Sequence, residues 1–171
     1  MYRADGCHLM AKTPGFVMAG VTTDASHTAL AVKVTVRAVT APPEAAFGPL
    51  VVANTKGAGY WLSVDSAGTA TLNEIDAEGD ARVINSARAP PLGTGTTRTL
   101  MLTCSLDLDG TAQLGGYVDG TRVITGTPTV KISSVTATGI AGHAKTDVPA
   151  EWAATRFDRL GSGDMPYNAP N

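Results

Sequence analysis

Apolar and polar positions alternate with a period of two along most of the chain, the spacing that sends successive side chains to opposite faces of a strand. Residues 29–37 are the clearest stretch: Leu30, Val32, Val34 and Val36 share one face, and Lys33, Thr35 and Arg37 the other. That predicts a strand with one dry face. After a break at Pro42-Pro43 the pattern predicts strands over 48–54 and 59–64, a turn at Asp65-Ser66-Ala67-Gly68, and a returning strand over 69–75. A second turn at Ala77-Glu78-Gly79-Asp80 leads into a strand over 81–86, and the stretch 89–97, rich in Pro, Gly and Thr, reads as a longer connection. Further strands fall at 98–106, 112–118, 121–125, 136–144 and 153–160, with Asp107-Leu108-Asp109-Gly110 and Asp119-Gly120 as tight turns. Helical periodicity is almost absent. Short strands at regular spacing predict an all-β sandwich or barrel.

Length fits one such domain. The 171 residues divide into 1–160, which carries the pattern, and 161–171, a C-terminal extension of Gly, Pro and Asn without periodicity that is expected to be held by a partner. With 43% hydrophobic and 16% charged residues the chain should bury a core and fold. A net charge of −2 without a basic stripe argues against nucleic acid as a partner. Its apolar runs fall far short of the ~20 residues that cross a bilayer, so no membrane insertion is expected. The start Met1-Tyr2-Arg3-Ala4-Asp5 does not have the form of a secretory leader, so the expectation is a leader removed or never present.

Chemistry-bearing residues are sparse. Cys7 and Cys104 lie too far apart for a C-x-x-C motif; they form a disulfide if their strands are adjacent, or remain two small buried thiols. His8, His27 and His143 have no carboxylate or imidazole at ligand spacing, so surface or edge positions are expected and no zinc site. No serine sits in a nucleophile elbow, and no glycine loop precedes a helix.

The succession Gly48-Pro49-Leu50-Val51-Val52, Gly59-Tyr60-Trp61-Leu62-Ser63-Val64, Gly68, Leu72, Thr99-Leu100-Met101-Leu102-Thr103-Cys104, Gly116-Tyr117-Val118-Asp119-Gly120-Thr121-Arg122-Val123, Gly139 and Phe157-Asp158 resembles the LamG/concanavalin A-like modules. The resemblance implies a curved jelly-roll of two antiparallel sheets, in a family whose members bind carbohydrate or protein surfaces, cleave glycans or serve as structural parts. Within it, Asn73-Glu74-Ile75-Asp76-Ala77-Glu78 looks like the active-site strand of laminarinase-type glycoside hydrolases. Carried over, Glu74 would be nucleophile, Glu78 general acid/base and Asp76 the residue tuning them. Retaining chemistry needs carboxylates about 5 to 5.5 Å apart on one regular strand. Glu78 meets Gly79, which favours a turn there and a non-catalytic protein. The family also implies calcium at a rim, for which Asp107 and Asp109, with Asp119, are the candidates; the competing reading is that these aspartates make turns. Tyr60 and Trp61 are adjacent in a strand, so one faces the core and the other outward, where it would stack on sugar or pack under a loop or partner.

These features together predict a structural or adhesive module of an extracellular assembly, such as a minor tail or surface protein of a bacteriophage virion, with neighbouring subunits and surface carbohydrate as partners. The ectodomain of a secreted bacterial protein that binds glycan or protein is the alternative, and a glycoside hydrolase the third reading.

Overall fold

The structure, a computed structural model, describes residues 2–3, 6–12, 14–53 and 58–161, with residues 2–3 and 21–27 as backbone alone. It contains β1 (Tyr2–Arg3), β2 (Gly6–Ala11), β3 (Gly15–His27), β4 (Ala29–Thr40), β5 (Ala46–Val52), β6 (Gly59–Asp65), β7 (Thr69–Ile75), β8 (Ala81–Arg88), β9 (Thr97–Leu106), β10 (Ala112–Val118), β11 (Thr121–Gly126), β12 (Val135–Ala144) and β13 (Ala150–Gly161). One sheet has seven strands in the order β1-β2-β13-β4-β9-β10-β11, the other six in the order β3-β12-β5-β6-β7-β8, and the pairings are antiparallel. No helix among the described residues is long and apolar enough to cross a membrane. The extension 161–171, apart from Gly161, lies outside the described residues.

Each strand predicted from alternation is present, with ends shifted by a few residues at most. In β4, Leu30, Val32, Val34 and Val36 are buried between the sheets while Lys33, Thr35 and Arg37 are half-buried on the outer face. The pattern before Ala29 gives no strand boundaries, yet β1, β2 and β3 lie there. In β3 the reason is chemical: Phe16 and Met18 face outward and Val17 and Ala19 pack on the core, so both faces are apolar and no period of two emerges.

The core is the space between the two inner faces. Leu30, Val32, Val34, Leu100 and Leu102 of the larger sheet meet Phe47, Val51, Tyr60, Leu62 and Leu72 of the smaller one. Trp152, fully buried, stacks on Phe47 with ring centroids 5.5 Å apart. Its ring needs the glycine at 142, where a Cβ would lie 2.5 Å from it.

Aspartates build the turns. Asp65, Asp76 and Asp107 each begin an Asp-x-x-Gly turn and accept, at Oδ1, the backbone N–H groups two and four residues on, while Gly68, Gly79 and Gly110 take positive φ. At Asp119-Gly120, φ values of 50° and 84° make the two-residue hairpin loop that matches strand twist.

One buried acid ties a loop to this framework. Glu74, only 3% exposed, accepts hydrogen bonds from the Thr129 amide at 2.8 Å, the Thr129 hydroxyl at 2.8 Å and the Val130 amide at 3.0 Å, with Arg82 Nε 3.4 Å away. The Tyr60 hydroxyl donates to the Val130 carbonyl from the same side. Burial by itself would raise the Glu74 pKa; the Val130 and Thr129 donors and Arg82 overcome it and hold the carboxyl below its ordinary value. Because the native state favours the carboxylate, this stabilisation is complete above the unfolded-state pKa and is lost as pH falls through the lower folded value. Glu74→Ala, which orphans these donors, should cost about 2–3 kcal/mol in urea unfolding at neutral pH, with a smaller difference from wild type in acid below pH ~4.

Candidate functional site

The inner faces are consumed by packing, so a site for another molecule must lie on an outer face or at an edge. The outer face of the six-stranded sheet carries two adjoining hollows that share Phe16 and Ala81. The first, about 390 Å³, is lined by Ser63, Asp65, Thr69, Thr71 and Asn73, with Glu44 and Lys145 at one end. The second, about 360 Å³, is lined by Met18, Leu50, Val52 and Ile75, with Asp76 and Glu78 of the neighbouring turn at its rim. The register explains this division. Asn73 pairs with Trp61 and Thr71 with Ser63, so β6 and β7 contribute a run of hydroxyl and amide groups, whereas Met18 of β3 lies across from Ala141 of β12.

Trp61 forms the floor. Its indole N–H donates to the Gly48 carbonyl at 3.2 Å and its ring is 4% exposed among Leu50, Ala141, Ala46, Val52 and Ile75. Above it stands Phe16, 46% exposed, with ring centroids 5.0 Å apart and planes at 67°, the edge-to-face arrangement favoured by the ring quadrupoles. On its other side Phe16 stacks on His143, its partner across β3 and β12, at 4.6 Å and 29°. Burial, and then the nearby Lys145 ammonium, lower the His143 pKa, so the stacked ring is neutral at pH 7.

Of the two aromatics singled out in the sequence, Tyr60 faces the core and is fully buried, and Trp61 faces outward, as adjacency in a strand requires. Trp61 is covered by Phe16 instead of being open to solvent, so the accessible aromatic surface belongs to Phe16. The three acids of the glycosidase-like stretch do not share a face: β7 ends at Ile75, Glu74 is buried against Thr129, and Asp76 and Glu78 lie in the turn, where Asp76 accepts the Glu78 amide. No two-carboxylate centre is assembled from them.

The other candidates lie apart. Cys7 on β2 and Cys104 on β9 are separated in the seven-stranded sheet by β13 and β4, roughly 14 Å at a strand spacing near 4.8 Å. A disulfide needs Cα atoms within about 7 Å, so the condition of adjacent strands is not met and both thiols are free. Burial pushes the Cys104 thiol up to about 12. His8, expected at the surface, is 7% exposed, because β2 docks on β13 and Glu151 there takes its Nδ1. His27 lies on β3, the edge strand of the smaller sheet, and its side chain is outside the described residues. Asp107 is occupied by turn amides and Asp109 by the Thr111 amide and, at 3.2 Å, by Lys131; contacts with Asp107, Thr111 and Lys131 hold the Asp109 carboxyl well below its ordinary range. Asp119 receives Arg98 and the Thr99 amide, each at 2.9 Å. Among the described residues no three His, Cys, Asp or Glu side chains converge as metal ligands.

Neither protein families nor curated proteins give a match to the sequence. Solved structures match in shape. The carbohydrate-binding module CBM66 of Bacillus subtilis is 15% identical with a TM-score of 0.66, over 89% of this chain and 86% of that one. The carbohydrate recognition domain of Emp47p is 12% identical with a TM-score of 0.60, over 90% and 82%. Sheep galectin-11 is 14% identical with a TM-score of 0.52, over 86% and 98%. At these identities the likeness establishes the fold, the jelly-roll sandwich of the concanavalin A-like kind that the sequence predicts.

The His143 environment is directly measurable. Its imidazole should titrate by NMR below the ordinary 6.5 of histidine. Lys145→Gln should bring it part of the way back, leaving the larger effect of burial in place.

Proposed function

We propose that this chain is a non-catalytic glycan-binding module of an extracellular surface or particle, and that the outer face of the six-stranded sheet receives the sugar. The observation that carries the reading is the solvent-exposed Phe16 ring, braced by His143 and Trp61, at the border between an apolar hollow and one lined by hydroxyl, amide and carboxylate groups. A pyranose has that same division: a face of C–H groups that packs on an aromatic ring, and a rim of hydroxyls that need directional partners. Phe16 would take the C–H face while Ser63, Thr71, Asn73 and Asp65 supply donors and acceptors for the rim. That the similar structures include a carbohydrate-binding module and a carbohydrate recognition domain supports the same reading through the fold.

An adhesive component of a virion, such as a bacteriophage tail or surface protein with neighbouring subunits around it, is the setting we favour for such a module. The ectodomain of a secreted bacterial protein would use the same face.

A panel of immobilised oligosaccharides, followed by calorimetry on those retained, tests this. Phe16→Ala should weaken binding about tenfold, the loss of roughly 1–1.5 kcal/mol of ring contact, and Thr71→Ala should weaken it by less. Thr35→Ala, on the outer face of the opposite sheet, should leave affinity unchanged. Absence of binding across the panel, or binding indifferent to Phe16→Ala, would refute the assignment.

A further inference from the structure

A sheet edge presents a row of unpaired N–H and C=O groups, and proteins that stay apart blunt such edges. This sandwich has four. In the seven-stranded sheet, β1 is only two residues long, and β11 is six residues long, carries Arg122 and is offset by a bulge at Gly116/Tyr117. In the six-stranded sheet, β8 carries Arg82 and Arg88 and a bulge at Leu72/Asn73, and the Asn85 amide donates to the Thr125 carbonyl of β11. The fourth edge, β3, has none of these devices over its regular part. From Gly15 to Thr22 it pairs residue for residue with β12, and this stretch contains no charged residue and no proline. Its other side has no partner strand among the described residues.

The surfaces flanking that edge are apolar on both sides. On the outer face Met18 is 63% and Phe16 46% exposed. On the inner side a mostly apolar cleft of about 390 Å³ opens between the sheets, where Ala19, Gly20 and Ile140 face Cys7, Ala154 and Phe157, with Thr155 and Arg156 also in its lining. A strand added to β3 would satisfy the backbone row and cover apolar surface above and below it.

We infer that β3 pairs antiparallel with the β3 of a second copy of this chain across a two-fold axis, joining the two six-stranded sheets into one. An antiparallel pair of identical strands is self-complementary, as a two-fold interface requires, and an uncharged segment meets its own copy without repulsion. Beyond Thr22 the register with β12 breaks, five residues of β3 advancing against two of β12, so the pairing is confined to the segment 15–22. Residues 162–171 of the same chain are a poorer occupant, because Pro166 and Pro170 cannot donate to a ladder. The inference rests on the backbone edge and its test uses no sugar, although Phe16 and Met18 also line the hollows of the glycan reading.

Sedimentation equilibrium on the full chain should reveal a reversible dimer. Hydrogen exchange should show the outward-pointing amides of residues 15–22, those that do not pair with β12, gaining protection as protein concentration, and with it the dimer population, rises. Gly20→Lys, where a Cβ meets only the Thr138 carbonyl at 3.8 Å, should weaken the dimer about tenfold or more by placing like charges across the axis, without lowering the melting temperature of dilute protein. Met18→Lys is the second variant and should act in the same direction. A chain that is monomeric at every concentration, or a dimer that both lysines leave intact, overturns the inference. So does protection of these amides that is already complete in dilute monomer, since the edge would then be covered by the chain itself.

Discussion

The contact of β4 and β9 with β5 and β6, inner face against inner face, is the interaction on which the rest of this molecule depends. Fully burying each Val, Leu or Phe there contributes roughly 1.5–3 kcal/mol, and a sheet can offer such residues on one face only if its strands keep strict alternation. That demand selects the composition of the central strands. It also accounts for the single large void-filler, Trp152, and for the absence of a side chain at Gly142 beneath it. Two of the polar groups that enter this layer have partners built in, whereas the Trp152 Nε1 and the Thr138 hydroxyl are buried without a hydrogen-bond partner among the described residues. Tyr60 reaches the Val130 carbonyl with its hydroxyl, and Glu74 collects three donors from residues 129 and 130.

The same contact decides where the protein can do something else. With both inner faces buried, the outer face of the smaller sheet is left with a choice of side chains that packing does not dictate. There β6 and β7 carry Ser63, Asp65, Thr69, Thr71 and Asn73, and β3 carries Phe16 and Met18, so a polar half and an apolar half meet along one line. Trp61 lies beneath Phe16 in an edge-to-face contact, with its indole N–H bonded to the Gly48 carbonyl. His143 completes the brace as a neutral ring, held so by burial and by the neighbouring ammonium of Lys145.

Much of this was legible in the chain itself. Turn chemistry was plain at Asp65, Asp76 and Asp107, because an aspartate followed three residues later by glycine satisfies its own backbone locally. The same logic stops β7 at Ile75 and takes Glu78 out of any strand. The pairing of Phe16 with His143 was not legible, since only the β3–β12 register brings together two residues so distant in sequence, and β3 lacks the alternation that would mark it as a strand. Glu74 gave a misleading signal for a related reason. Its spacing from Asp76 and Glu78 suggested one shared surface, but its partners are the amides of a loop more than fifty residues away.

The sequence by itself determined the fold class, most of the strand boundaries, the turns and the opposite directions of Tyr60 and Trp61, because each of these follows from interactions between residues close in the chain or from a period of two. Tertiary structure alone decided that Cys7 and Cys104 stand strands apart, that Phe16 covers Trp61, and that the uncharged segment 15–22 of β3 lies at a sheet edge. Those outcomes rest on strand order and register, which are set by how two whole sheets settle against each other and not by any local pattern.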